Sequence, residues 1–79
     1  MRNAKTLEYG FSNEEELKNY LATKKIIIDA GCGLGYKASW FAKLSPNSKV
    51  IGIDYSDSVI YAQKRYSNFS NLFFLKGDI

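Results

Sequence analysis

Short apolar runs and amphipathic stretches alternate along most of this 79-residue chain. Three runs, at residues 26–28, 50–53 and 72–75, are rich in β-branched or aromatic side chains, which is typical of β-strands. The first run consists of three consecutive isoleucines, and such a run suits a strand that helices bury on both faces. We therefore predict three strands, at about residues 25–29, 50–53 and 72–75.

Helical spacing of apolar side chains predicts the elements between these strands. One helix is expected at about residues 36–44, and another is expected after Ser56, which is a good N-cap residue. Ahead of the first strand, Ser12 and Glu15 form the capping-box pattern of a helix at about residues 13–22. The order is therefore helix, strand, helix, strand, helix, strand.

Alternation of strands and helices with short connections indicates the α/β class with a parallel sheet. Crossovers between parallel strands are almost always right-handed, and ligands of such sheets bind at the carboxyl ends of the strands. Asp29, Asp54 and Asp78 each stand at or just after the end of a predicted strand. We expect the three carboxylates to converge on one edge of the sheet.

Composition and charge narrow the classes of protein. The net charge is +3, but the basic residues are dispersed along the chain, which argues against a nucleic-acid interface on this segment. One cysteine and no histidine exclude an internal disulfide and leave little for a zinc site, so we expect no metal and a reduced, cytoplasmic setting. No apolar run approaches the roughly 18 to 20 residues that span a membrane.

A loop with three alternating glycines, Gly31, Gly33 and Gly35, follows the first strand. Its backbone suits a ligand that lies against the peptide groups. The dinucleotide fingerprint G-x-G-x-x-G/A needs a small residue at position 36, where this chain has Tyr36. Asp29 would also repel a pyrophosphate at the start of the next helix. The loop therefore favours a ligand that carries positive charge.

Asp54 lies 19 residues after Gly35 and ends the second predicted strand, where an acid can accept hydrogen bonds from both ribose hydroxyls. Because the loop contains no lysine or arginine for a phosphate, S-adenosylmethionine, a nucleoside with a sulfonium and an ammonium group, has the required properties.

Cys32 has no histidine to activate it and is interpreted as a small loop residue. Tyr36, Trp40 and Phe41 are expected in the core.

Three motifs, at residues 29–35 (DAGCGLG), 50–56 (VIGIDYS) and 73–79 (FFLKGDI), stand in order along the chain. Together they resemble the first three motifs of class I S-adenosylmethionine-dependent methyltransferases, over about residues 26–79. The resemblance implies a three-layer Rossmann-like parallel sheet, incomplete here, with strand order 3-2-1 and flanking helices. It also implies S-adenosyl-L-methionine as the cofactor and a methyltransferase as the parent protein.

The same resemblance assigns cofactor-binding roles to residues of all three motifs. In the first motif, Asp29 would face the methionine ammonium group through water, and Gly31 and Gly33, with Ala30 and Cys32 between and beside them, would lie against the methionine and ribose, while Gly35 would permit close packing of the next helix. In the second motif, Asp54 would bind the ribose hydroxyls and Tyr55 would flank the adenine. In the third motif, Asp78 would accept a hydrogen bond from the adenine amino group, and the Ile79 N–H would reach a ring nitrogen. No catalytic residue is named, because positioning drives methyl transfer from a sulfonium.

The expected division of the chain is a lead-in with an N-terminal helix at residues 1–24 and a partial cofactor-binding domain at residues 25–79. We expect a fragment of a larger enzyme or a truncated reading frame, in which the remaining half of the domain or a partner chain covers the exposed first strand. The methyl acceptor is unidentified. Two alternatives stay open: a non-catalytic Rossmann-like remnant or interaction module, and a fragment of an NAD(P)- or FAD-dependent oxidoreductase.

Overall fold

The computed structural model describes residues 12–77, so the expected lead-in at residues 1–11 lies outside the described residues. Every predicted helix and strand is present, with bounds that differ from the expected ones by at most two residues. In chain order they are α1 (Glu14–Leu21), β1 (Ile26–Ala30), α2 (Tyr36–Leu44), β2 (Lys49–Asp54), α3 (Ser58–Arg65) and β3 (Leu72–Lys76). Within residues 12–77, no helix is long and apolar enough to cross a membrane.

The sheet of the described chain has three strands, and β2 pairs in parallel with both β1 and β3. Ala30 at the end of β1 stands opposite Ile53, and Asp54 at the end of β2 stands opposite Lys76. The carboxyl ends of the strands therefore meet at one edge, as expected for a parallel α/β sheet. The predicted α/β class with parallel strands and flanking helices is confirmed.

The hydrophobic core lies between one face of this sheet and the helices. Val50 of β2 and Ala38 of α2 are fully buried, and Leu72 of β3 is 3% exposed. Leu17 and Leu21 bring α1 into the same cluster. Because consecutive right-handed crossovers advance in one direction across the sheet, they place α2 and α3 on the same face.

The opposite face of the sheet is apolar and open. Ile26 and Ile28 of β1 are 58% and 61% exposed, and Phe73 and Leu75 of β3 are 42% and 55% exposed. No helix of residues 12–77 covers these side chains, so the described chain has two layers. The expectation that both faces of β1 are buried is not met within this part of the chain.

The start of α1 differs from the expected capping box. Asn13, one residue after the predicted cap Ser12, is the N-cap, and its Oδ1 accepts a hydrogen bond from the N–H of Glu16 at 2.8 Å. Ser12 instead donates its hydroxyl to the Glu16 carboxylate. Both residues are good N-caps, and the register of the helix on the core selects between them.

Asn71, just before β3, joins three chain segments. Its Nδ2 lies 3.1 Å from the carbonyl oxygens of Ala42 and Ser45, and 3.0 Å from that of Ser48. These carbonyls belong to the last turn of α2 and the turn that leads to β2, where backbone acceptors lack helical partners. The Asn71 side chain therefore ties the segment before β3 to the end of α2 and to the turn that precedes β2.

Candidate functional site

The glycine loop begins where β1 ends, at the edge of the sheet to which all three strands point. Gly31, Gly33 and Gly35 have φ values of +71°, +56° and +86°, and no other residue type within 12–77 has a positive φ. Residues with a Cβ rarely adopt this left-handed conformation. The left-handed backbone at these three positions therefore explains why each of them is a glycine.

The three glycines have different surroundings. A Cβ added at Gly31 or Gly33 would meet no atom within 4 Å, whereas one added at Gly35 would lie 2.7 Å from Cζ of Phe74 and 3.2 Å from Cβ of Ala62. The first two glycines therefore border open space that a ligand can fill. The third permits close packing of the loop against the Phe74 ring of β3 and against α3.

Backbone donors of the loop are already used within the protein. The N–H groups of Gly31 and Cys32 donate to the carbonyl oxygen of Ile53 at 2.7 and 3.1 Å, and the N–H of Gly33 donates to Oδ2 of Asp54 at 2.8 Å. Loops that hold phosphate do so with N–H groups that point at the ligand. Three consecutive donors directed at β2 make this loop a poor phosphate site.

Asp54 is held by backbone groups on both sides. Its Oδ1 accepts a hydrogen bond from the N–H of Ser56 at 2.9 Å, and its Oδ2 accepts one from the N–H of Gly33. These two bonds lower the pKa of the Asp54 carboxyl, and the bond from Ser56 has the larger effect. Ser56 is not the N-cap that we expected, because Asp57 occupies that position, and the Ser56 hydroxyl accepts from the N–H of Ser58 at 3.2 Å. Each oxygen of the ionised Asp54 retains a lone pair for a ligand hydroxyl.

Asp29 is buried at the mouth of the loop. Its side chain is 1% exposed, its Oδ1 lies 3.0 Å from Nζ of Lys37, and its Oδ2 has no hydrogen-bond partner. Sequence reasoning missed Lys37. A signal was available, because a lysine in the first turn of a helix opposes the helix dipole and favours a nearby acid.

A cleft of about 400 Å³ opens beside these two charges, between α1, the end of β1 and α2. Leu17 and Tyr20 of α1, Ile28 of β1 and the Asp29–Lys37 pair contribute to its lining. The cleft therefore combines apolar walls with one buried carboxylate oxygen that lacks a partner.

Cys32 is buried in the loop, and Gly52 of β2 leaves room for it, because a Cβ at Gly52 would lie 3.0 Å from its Sγ. Burial raises the pKa of the Cys32 thiol, and repulsion from the carboxylates of Asp29 and Asp54 raises it further. A thiol with a raised pKa is a poor nucleophile at neutral pH. These observations support the interpretation of Cys32 as a small loop residue.

The aromatic residues near the site divide into buried and exposed ones. Phe41 is 8% exposed and Trp40 is half-buried, in agreement with a core position. Tyr36 is 54% exposed, so its expected core position is wrong; its ring lies 5.6 Å from the guanidinium carbon of Arg65. Tyr55, after β2, is 78% exposed.

The structure thus brings together Asp29, Ala30, Cys32, the three loop glycines and Asp54 at one edge of the sheet. Asp78 and Ile79 lie outside the described residues.

Comparison with known proteins gives consistent matches. Residues 21–79 match a family described as "Methyltransferase domain". A malonyl-[acyl-carrier protein] O-methyltransferase of Bacillus anthracis is 33% identical over 63 residues, which cover 78% of this chain and 23% of that protein. A putative methyltransferase, 235L, of Invertebrate iridescent virus 6 is 40% identical over 57 residues, which cover 65% of this chain and 22% of that protein.

Among solved structures, PKMT2 from Rickettsia typhi in complex with AdoHcy superimposes with a TM-score of 0.65 and 28% identity, covering 73% of this chain and 12% of that one. The chain spans less than a quarter of the length of the two curated relatives, at 23% and 22%. Because the family match extends over residues 21–79, well over half of the chain, this chain belongs to the methyltransferase domain family.

Proposed function

We propose that this chain is the cofactor-binding half of a methyltransferase and that it binds S-adenosyl-L-methionine. The observation that carries the proposal is the buried Oδ2 of Asp29, which lacks a hydrogen-bond partner and belongs to a residue that lines the cleft. A buried carboxylate oxygen favours a cationic donor. Since the N–H groups of Gly31, Cys32 and Gly33 already donate to β2, a phosphate-free cationic nucleoside fits this site.

We propose the following contacts for the first two motifs. Asp29 faces the ammonium group of the methionine part, through water, and the open space beside Gly31 and Gly33 receives the methionine and ribose. Asp54 accepts hydrogen bonds from the two ribose hydroxyls with the lone pairs that its backbone donors leave. Tyr55, which is exposed, flanks the adenine.

For the remaining motif residues, we propose that Ala30 and Cys32 complete the loop wall, that the Asp78 carboxylate accepts from the adenine amino group, and that the Ile79 N–H binds a ring nitrogen. S-adenosylmethionine supplies the activated methyl group when it is bound. This part of the chain contributes by orienting it, and orientation is a large component of catalysis in displacement reactions.

The rest of the domain would lie next to β1. We propose that the order 3-2-1 is one side of a larger three-layer sheet, and that the remaining half, or a partner chain, covers the open side. Ile26 and Ile28 are both more than half exposed, and within residues 12–77 β1 pairs with β2 alone. The methyl acceptor, which is unidentified, would be bound by that other half.

Isothermal titration calorimetry tests the proposal with S-adenosylhomocysteine and NAD as separate ligands for the purified chain. We expect binding of S-adenosylhomocysteine and none of NAD. Binding of NAD alone would refute the proposal in favour of an oxidoreductase, and binding of neither ligand would favour a non-catalytic remnant.

An Asp54→Ala variant tests the ribose contact in the same assay. Loss of its charged hydrogen bonds should weaken S-adenosylhomocysteine binding about tenfold to a hundredfold. Asp57→Ala is the matched control, because the Asp57 side chain is 70% exposed and pairs with Lys76 on the surface. Equal affinities of the two variants would contradict the role of Asp54.

A further inference from the structure

Lys37 is placed where it can contact a ligand in the cleft. Its Nζ lies 3.0 Å from Oδ1 of Asp29, yet its side chain is 38% exposed whereas that of Asp29 is 1% exposed. Both residues line the cleft between α1, β1 and α2. The lysine therefore holds a positive charge at the surface of the cleft, directly beside the carboxylate oxygen that lacks a partner.

The tail of the proposed cofactor makes this arrangement significant. Its ammonium and carboxylate groups are attached to the same carbon, so an ammonium close to Oδ2 of Asp29 brings the ligand carboxylate close to the Asp29 carboxylate. Two carboxylates in one site repel each other unless a cation lies nearby. The N–H groups of Gly31, Cys32 and Gly33 are directed at β2. Among the described residues that line the cleft, Lys37 is the cation that can lie beside both carboxylates.

We propose that Lys37 is a specificity-determining residue that recognises the α-carboxylate of the cofactor's amino-acid tail. Its ammonium stays paired with Oδ1 of Asp29 and also binds the ligand carboxylate, while the ligand ammonium faces Oδ2 of Asp29 through water. The four charges then alternate in sign around the mouth of the cleft. This inference rests on the proposed function, which assigns Asp29 but not Lys37 to the cofactor.

Two ligands isolate the carboxylate in a calorimetric test. S-adenosylhomocysteine carries both tail charges, whereas S-adenosyl-3-thiopropylamine keeps the amine and lacks the carboxylate. The parent chain should bind the first ligand about tenfold to a hundredfold more tightly, the range of one charge-assisted hydrogen bond. Because both affinities are measured on the same protein, partial unfolding of a variant affects them equally and cancels in their ratio.

Lys37→Met should reduce this ratio to about one or below, because Asp29 then repels the ligand carboxylate, whereas Lys37→Arg should keep most of the parent ratio. Lys43→Met is the matched control, because Lys43 lies on the same helix and is exposed, and it should keep the parent ratio. Since Lys37→Met leaves the buried Asp29 without its cation, a double variant with Asp29→Asn guards against misfolding, and it should also show a ratio of about one.

The outcomes separate the two proposals. A parent chain that binds both ligands equally, or a Lys37→Met variant that keeps the parent ratio, would overturn the role of Lys37 and leave cofactor binding intact. A parent chain that binds neither ligand would overturn the proposed function, and this inference with it.

Discussion

Gly35 provides a test of how the loop is held, because its replacement by alanine has two separable costs. The new Cβ would lie 2.7 Å from Cζ and 2.8 Å from Cε1 of Phe74, and overpacking of this kind costs about 1–3 kcal/mol. The left-handed backbone adds about 1–2 kcal/mol. The total of about 2–5 kcal/mol is a large part of the roughly 4–12 kcal/mol expected for a domain of this size.

Gly31→Ala is the matched control for Gly35→Ala. Its φ of +71° imposes a similar backbone cost, but its Cβ would meet nothing within 4 Å. Urea unfolding, followed by Trp40 fluorescence and circular dichroism, should therefore give a midpoint for Gly35→Ala that is about 1 M or more below that of Gly31→Ala. Equal midpoints would refute the argument from packing.

A double variant identifies the contact that causes the difference. Phe74→Leu in the Gly35→Ala background makes room for the new Cβ, so the two substitutions should be non-additive and part of the lost stability should return. Additive losses would show that the Phe74 ring is not responsible. By contrast, Gly31→Ala should weaken S-adenosylhomocysteine binding, because its Cβ occupies the space left for the ligand.

Three further outcomes are expected. Asn71→Ala should lower the free energy of unfolding by about 1–3 kcal/mol, because the carbonyl groups of Ala42 and Ser48 lose the Asn71 donor; an unchanged melting temperature would contradict this. The pKa of Asp54 is lowered from 3.8, so its contribution to stability is present above that value and lost as the pH falls through the lower folded pKa. Acid unfolding curves should therefore be shallower for Asp54→Asn, and identical curves would disprove the linkage. Because the pKa of the Cys32 thiol is raised, iodoacetamide at pH 8 should alkylate it far more slowly in the folded chain than in urea; similar rates would count against its burial.

Local patterns in the sequence were sufficient for the order and type of the elements. The 36–44 helix was predicted with the bounds that the structure has, because the spacing of apolar side chains acts within a few residues. The glycine loop was also predictable, because a positive φ at Gly31, Gly33 and Gly35 restricts the residue type at each position.

Caps were predicted less well than helices. Asn13 and Ser12 both satisfy the preference for an N-cap, and only the packing of Leu17 and Leu21 on the core decides where the first turn begins. The exposure of Tyr36 has a similar cause. A residue at the start of α2 points toward the core or toward solvent according to the angle at which the helix crosses the sheet, which periodicity alone does not give.

The sequence by itself determined the alternation of strands and helices, the glycine loop and the acids at the strand ends, because covalent geometry and side-chain spacing act locally. Only the tertiary structure decided that Gly31 borders open space while Gly35 packs against Phe74, that Lys37 pairs with Asp29, and that the loop N–H groups are directed at β2. These features depend on which distant segments meet. The three-dimensional packing determines the contacts between these segments, and no local pattern specifies them.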